Sequence, residues 1–292
     1  MLRLSYSAVS AYEKCPLSYR FQYIEKLEIK PTPYLSFGKS IHSALEWLYD
    51  RQTPQPPTLE ELLSFLESCW ASEGFSDQGE EDSYFKQARD VLTSFYHANT
   101  KDFRLPLAVE HRFELKMEDF ILSGVIDRVD RHPNGAYEII DYKTSRRLPQ
   151  IKYLRDDLQL PIYQLACREV WGISPAKLTY YYLLPNQRYS TKPLDEEGLS
   201  KVMVRLGAAA SNIRKEEFPA IPNRLCPWCS YQDICPEQAE GDDREERYRS
   251  RHLALIRRRE KLDGLIGDLE DEMRQMGLSG EPAQGLDGQE NL

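Results

Sequence analysis

The stretch that decides the fold runs Gly124-Val125-Ile126-Asp127-Arg128-Val129-Asp130, turns at Pro133-Asn134-Gly135, and returns as Ile139-Ile140-Asp141-Tyr142-Lys143-Thr144. Apolar residues alternate with others on both sides of the turn, as in two antiparallel strands joined by a hairpin. Because side chains alternate along a strand, Asp141 and Lys143 share one face and Tyr142 points to the other. The same parity sets Asp127 beside Val125 and Val129 on a face directed to the core. A charge there is costly unless something pairs with it.

The turn sets the register. Pro133 suits the first position of a type I turn, and Gly135 suits the left-handed position of a three-residue loop. Such a loop pairs 132 with 136, and with it every pair of positions whose numbers total 268. Asp127 and Asp141 are one of these pairs, with Cβ atoms expected roughly 4.5–5.5 Å apart. Two carboxylates at that distance repel unless a cation lies between them or one keeps a proton. A two-residue turn would send them to opposite faces. The spacing favours a metal site over a surface hairpin whose acids pair with Arg128 and Arg131. Mg²⁺ prefers carboxylate oxygens and keeps waters, one of which can become a nucleophile. Lysine is a compact positive charge suited to stabilising negative charge as it develops.

Outward from the hairpin, alternation predicts strands over 107–117, 120–131 and 136–144, a three-stranded antiparallel meander. Helical periodicity covers 5–27 with a break at Pro16, then 39–51 after a Pro31-Thr32-Pro33 loop, then 58–72 and 81–100. Behind the meander come a helix at 155–171, a strand at 177–184, a short strand near 188–192 and a helix at 195–215. A charged helical stretch follows at 243–276, and a Gly- and Pro-containing tail at 277–292 reads as disordered.

At these residues the sequence resembles the PD-(D/E)XK nucleases, in their RecB-like branch. The resemblance rests on the hairpin, on Leu158-Gln159-Leu160-Pro161-Ile162-Tyr163, and on Phe37-Gly38-Lys39-Ser40-Ile41-His42-Ser43-Ala44-Leu45-Glu46, which matches the branch's histidine helix. It implies an α/β restriction-endonuclease-like core, a mixed central sheet flanked by helices. It also implies a divalent-metal phosphodiesterase in which His42, Asp127, Asp141 and the Tyr142 carbonyl hold Mg²⁺ or Mn²⁺. Lys143 would stabilise the attacking hydroxide or the charged phosphorane. Gln159 and Tyr163, four apart on one helical face, would line the nucleic-acid side. Gly38-Lys39-Ser40 is no P-loop, because Pro33 stands where that motif needs glycine.

Of the six cysteines, Cys226, Cys229 and Cys235 form a C-x₂-C-x₅-C cluster. Cytoplasmic thiols are normally reduced, so metal ligation outranks a disulfide framework. Cys15 is the leading fourth ligand, and a four-cysteine set can hold zinc. The flank from Ser7 through Cys15-Pro16 to Phe21 resembles the N-terminal motif of the branch's iron–sulfur nucleases, among them the AddB nuclease domain and CRISPR-associated RecB-like nucleases. That likeness implies a [4Fe–4S] cluster on Cys15, Cys226, Cys229 and Cys235, closing the two chain ends into an iron–sulfur lobe. Cys69 and Cys167 read as small buried hydrophobes.

The net charge of −9 argues against non-specific coating of nucleic acid. Arg146 and Arg147, directly behind the second strand of the hairpin, suit local phosphate contacts. The sequence has no run of 18 apolar residues and no apolar signal core at its start, so a cytoplasmic protein without membrane association is expected. The expected organisation is a nuclease domain over 1–240 with a helical insertion at about 52–104, a charged extension at 241–276 and the tail. The expected activity is metal-dependent DNA cleavage, exonucleolytic on single strands or ends, in repair, recombination or CRISPR adaptation. A helicase or a CRISPR adaptation protein is the expected partner. Rival readings are a non-catalytic DNA-binding or scaffold component of a helicase–nuclease complex, and a zinc-stabilised interaction protein.

Overall fold

Strand β3 (Phe120–Arg131) organises a six-stranded sheet in the computed structural model. The structure describes residues 1–50, 52, 54–146, 148–150, 154, 156–238 and 243–276. Arg147 and the 277–292 tail lie outside the described residues. Strand β2 (Ala108–Lys116) runs antiparallel along β3 from position 121 to 129. The opposite edge of β3 is shared, with β1 (Leu2–Leu4) parallel at 120–122 and β4 (Tyr137–Lys143) antiparallel at 128–131. Strand β5 (Lys177–Tyr182) lies parallel to β4, and β6 (Gln187–Thr191) antiparallel to β5. The sheet is therefore mixed.

The loop chemistry acts as the sequence predicts. The His132 amide donates to the Ala136 carbonyl at 2.8 Å, Gly135 sits at φ +82°, and the β3–β4 pairs total 268.

The chain divides into two compact units, one from Met1–Ser7 and Lys30–Ala210, the other from Ala8–Ile29 and the residues from Ser211 onward. Its helices are α1 (Tyr6–Lys14), α2 (Pro16–Tyr19, continued by a π turn over Arg20–Ile24), α3 (Pro33–Tyr49), α4 (Leu59–Ser68), α5 (Gln78–Asn99), α6 (Gln159–Trp171), α7 (Glu196–Arg214) and α8 (Asp243–Gln275). In the first unit, α3, α4 and α5 bury Phe37, Ile41, Leu45, Leu66, Leu92 and Phe95 against Ile140 and Tyr142 of β4. The even-numbered face of β4 is thus core. Asp141 and Lys143 face the other way, where Gln159 of α6 meets Lys143. In the second unit, Leu17, Phe21, Leu27 and Tyr231 form a smaller core.

Two helix starts differ from the sequence reading. Helix α3 begins at Pro33, not Lys39, because the Thr32 side chain caps the Leu35 amide and proline's fixed φ suits the first helical position. Helix α6 begins at Gln159, not Arg155, where the Asp157 carboxylate accepts the Gln159 amide at 2.8 Å. Strand β1, three residues long, is too short for an alternation pattern. Among the described residues no helix is long and apolar enough to cross a membrane.

Candidate active site

The β3–β4 ladder ends at Arg128–Ile140, one step short of Asp127 and Asp141. There the strands part. The Tyr142 amide donates to Asp127 Oδ2 at 2.7 Å, so a side chain stands where a ladder carbonyl would be. Position 142 pairs with 181 of β5 on its other side. The two aspartates, 7% and 1% exposed, therefore sit at a fork in the sheet. Alternation and turn register together put them there.

Helix α3 brings His42 to the fork. Its Nδ1 lies 3.7 Å from Asp127 Oδ2 and 3.5 Å from Glu110 Oε1, and its ring meets Tyr142 edge-on at 6.1 Å. His42, Glu110 and Asp127 each offer a ligand atom, all within 4.8 Å of one another. Glu110 belongs to β2, between residues paired with positions 128 and 126 of β3, and so stands level with Asp127. Its backbone is at φ +42°, a region unfavourable to a non-glycine residue by roughly 1–2 kcal/mol. Asp141 turns instead to Lys143, whose Nζ is 2.6 Å from Asp141 Oδ2. That oxygen is an ion-pair partner but accepts no well-aligned hydrogen bond.

The electrostatics follow from burial at close quarters. Burial first, then the Asp141 charge, carry the Asp127 carboxyl up to about 8, against the pull of His42 and the Tyr142 amide. Burial likewise holds Asp141 above the usual carboxylate range, although Lys143 and His42 oppose it. Burial pushes the His42 imidazole down, but the Glu110 hydrogen bond and the Asp127 and Asp141 charges outweigh it and carry it up to about 9. Burial lowers Lys143 too, but Asp141 outweighs it and the ammonium is raised.

Lys143 is steered from the far side. Its ammonium donates to Gln159 Oε1 at 2.5 Å, and Gln159 Nε2 donates to the Tyr163 hydroxyl at 3.0 Å. Gln159 is fixed by Asp157, which also accepts hydroxyl protons from Tyr6 at 2.6 Å and Tyr180 at 2.5 Å. Behind the fork, Arg128 is buried over the Tyr49 ring, 3.7 Å to its centroid, and donates to Asp130 and to the Tyr142 hydroxyl. Arg146 lines a cavity of about 510 Å³ with Tyr34, Tyr84, Gln87 and Thr144.

The structure thus brings together His42, Asp127, Asp141, Tyr142, Lys143, Gln159 and Tyr163. Sequence reasoning missed Glu110 and Asp157. The signal for Glu110 was the Met117–Phe120 turn, whose 2.9 Å amide bond sets a β2–β3 register totalling 237. That register puts 110 level with 127.

All six cysteines are free thiols. In the second unit, Cys15, Cys229 and Cys235 pack against the Leu17–Phe21–Leu27–Tyr231 core. The Asn223 amide donates to Cys226 Sγ at 3.2 Å, while its side chain donates to the Lys14 carbonyl at 3.1 Å, one residue from Cys15. Cys167 is buried and Cys69 half-buried on its helix end.

Residues 3–236 match the PD-(D/E)XK nuclease superfamily. The chain is similar to the Gene 69 protein of Mycobacterium phage D29, 23% identical over 264 residues, covering 80% of this chain and 96% of that protein. It is similar to one component of the ATP-dependent helicase/deoxyribonuclease of Streptococcus agalactiae, 27% identical over 153 residues, which are 49% of this chain but 14% of the relative. It is also 30% identical over 118 residues to the CRISPR-associated exonuclease Cas4 of Saccharolobus solfataricus, covering 39% of this chain and 52% of the relative. With the family match spanning the sheet, the fork and the helices that carry its side chains, the chain belongs to the PD-(D/E)XK nuclease superfamily.

Proposed function

We propose that this protein is a divalent-metal-dependent deoxyribonuclease that acts as an exonuclease on single strands or DNA ends. The observation that carries the reading is the fork: three groups of metal-ligand type converge on Asp127, beside the Asp141–Lys143 pair. The residues fit a hard cation. Asp141 Oδ2 is buried without an aligned donor, and Asp127 and Asp141 are both held above the carboxylate range, so bound positive charge would relieve both. His42, Asp127, Asp141 and the Tyr142 carbonyl would hold Mg²⁺ or Mn²⁺, with Glu110 as an added acid. The cation would supply positive charge opposite the phosphate oxygens and an acidified water.

Lys143 places its ammonium where negative charge develops at phosphorus. Gln159 and Tyr163 hold that ammonium in place and face the nucleic acid. Arg146 and Arg147 take flanking phosphates. In the second unit, Cys15, Cys226, Cys229 and Cys235 hold a [4Fe–4S] cluster that ties 8–29 to the C-terminal segment; the apolar core shared by three of them supports this. The nuclease domain then spans 1–240, with 52–104 as an insertion and 241–276 as an extension. The relatives named for a helicase/deoxyribonuclease and a CRISPR exonuclease support a cytoplasmic role in DNA repair, recombination or CRISPR adaptation beside a helicase or an adaptation protein.

The test is cleavage of end-labelled linear and circular single-stranded DNA by anaerobically purified protein with Mg²⁺ or Mn²⁺. Linear DNA should be degraded and circles spared. Cut circles reject exonuclease action, and binding without cleavage supports a scaffold role. Iron and sulfide should each be found at about four per chain, and Cys15→Ser protein should be colourless and protease-sensitive. One equivalent of zinc without colour rejects the cluster.

A further inference from the structure

Helix α8 begins beyond the family match, which ends at 236, and runs 33 residues, about 50 Å at helical rise. Its first half is docked within its own unit. Ala254 and Leu255 pack on the Phe21–Tyr231 core, Arg251 pairs with Glu25, Arg258 donates to the Glu25 carbonyl, and Lys261 pairs with Glu28. Past Lys261 the same face continues as Leu262, Leu265, Ile266, Leu269 and Met276, which are 45–64% exposed. Leu262, Ile266, Leu269, Met273 and Met276 alternate at spacings of four and three, the seam of a two-helix coil. Within this half, a Cβ at Gly264 or Gly267 would meet nothing. Glycine lowers helix propensity, and a fifteen-residue helix with two of them is marginal in water unless its apolar stripe is covered.

Charge indicates what covers it. Residues 243–261 carry eight basic and four acidic side chains, a net of +4; residues 262–276 carry one basic and five acidic, a net of −4. Two such helices laid antiparallel set the acidic half of each against the basic half of the other. A parallel pair would set like against like. The docked half keeps a surface for this, with Arg257 and Arg259 exposed and Tyr248 and Leu253 48% and 52% exposed. We propose that α8 is a homodimerisation helix, pairing antiparallel with α8 of a second copy of this chain in an isologous contact.

Sedimentation of the full chain from about 1 to 100 μM reads the equilibrium. Wild-type protein should be a dimer, weakened by added salt, and Leu265→Glu with Leu269→Glu should be monomeric at an unchanged thermal midpoint. Arg257→Glu with Arg259→Glu should weaken pairing at least about tenfold, as should Glu270→Lys with Glu272→Lys. All four charge reversals in one chain should restore the dimer, because both halves have then exchanged sign. A monomer across the range overturns the proposal, as does a dimer that survives the Leu265→Glu/Leu269→Glu change. Failure of the fourfold reversal to recover pairing overturns the antiparallel arrangement.

Discussion

Strand β4 buries two carboxylates three residues apart and treats them oppositely. Glu138, fully buried, accepts the Thr179 hydroxyl at 2.5 Å and lies 3.0 Å from Lys177 Nζ and 2.9 Å from His132 Nε2. Burial pushes its carboxyl up, yet the Thr179 and Lys177 hydrogen bonds outweigh burial and hold it below the usual range. Asp141, equally buried, has Lys143 alone beside Oδ2 and stays above that range. The fold can therefore satisfy a buried acid on this strand. At the fork it does not, and it adds Asp127 and a strained Glu110 to the same place. Uncompensated charge in one spot beside a compensated one is the physical mark of a site kept for a ligand.

The largest expected effect comes from neutralising each acid in turn. Asp141→Asn should lower DNA cleavage by about 10³-fold or more. It should also raise the thermal midpoint in metal-free buffer, since one of two repelling carboxylates is gone. Glu138→Gln should do the reverse, costing about 1–3 kcal/mol in denaturant titration by orphaning its donors, with cleavage per folded molecule unchanged. An Asp141→Asn protein that is both active and less stable would erase the contrast.

Acidity should separate the two acids next. Asp127 is raised in the folded state from an ordinary 3.8 to about 8, and His42 from 6.5 to about 9. The folded chain thus binds these protons more tightly, and that stability is lost as pH rises through 8 to 9. Glu138 is lowered from an ordinary 4.5, so its contribution is present above that value and lost as pH falls through its folded pKa. Metal ligands must shed these protons, so Mn²⁺ should raise the thermal midpoint more at about pH 8.5 than at about pH 6, with measurable proton release. An equal shift at both values would place the ion elsewhere.

Removing the cation beside each acid is a finer cut. Lys143→Ala should reduce single-turnover cleavage by about 10²-fold while the Mn²⁺-induced midpoint shift persists, because the ammonium acts on developing charge. Lys177→Ala should leave cleavage intact and cost about 1 kcal/mol, since Thr179 and His132 still face Glu138. Loss of the Mn²⁺ shift in Lys143→Ala would make the lysine an organiser of the binding site.

How much of this could be read in advance depended on how local the cause is. The Asp127–Asp141 pairing follows from three turn residues and strand parity, both visible within twenty residues of sequence. His42 was visible only through its motif, since nothing local carries a helix to a strand. Asp157 was unreadable, because its partners Tyr6 and Tyr180 lie far from it in sequence. Glu110 is the instructive miss. The turn that aligns it, Glu118-Asp119, lacks the Asn-Gly or Asp-Gly signature that would have pinned a two-residue hairpin. Its positive φ leaves no trace in an alternating strand.

That strain makes Glu110 the subtlest test of the contrast between satisfied and unsatisfied acids. Glu110→Gly removes a carboxylate from the fork and puts at φ +42° the residue that tolerates it best. Glycine's greater freedom in the unfolded chain offsets part of this gain, so the metal-free protein should be stabilised by no more than about 1 kcal/mol. Glu110→Gln keeps the strained backbone and removes only the charge, so it should gain less. Both should lose the hydrogen bond that lifts the His42 imidazole, bringing its titration down, as histidine proton resonances can report. Both should also bind Mn²⁺ more weakly, read as a smaller midpoint shift at equal concentration. If the glycine variant is less stable than wild type and its Mn²⁺ shift is unchanged, Glu110 is a structural acid like Glu138, and the strain at 110 has another cause.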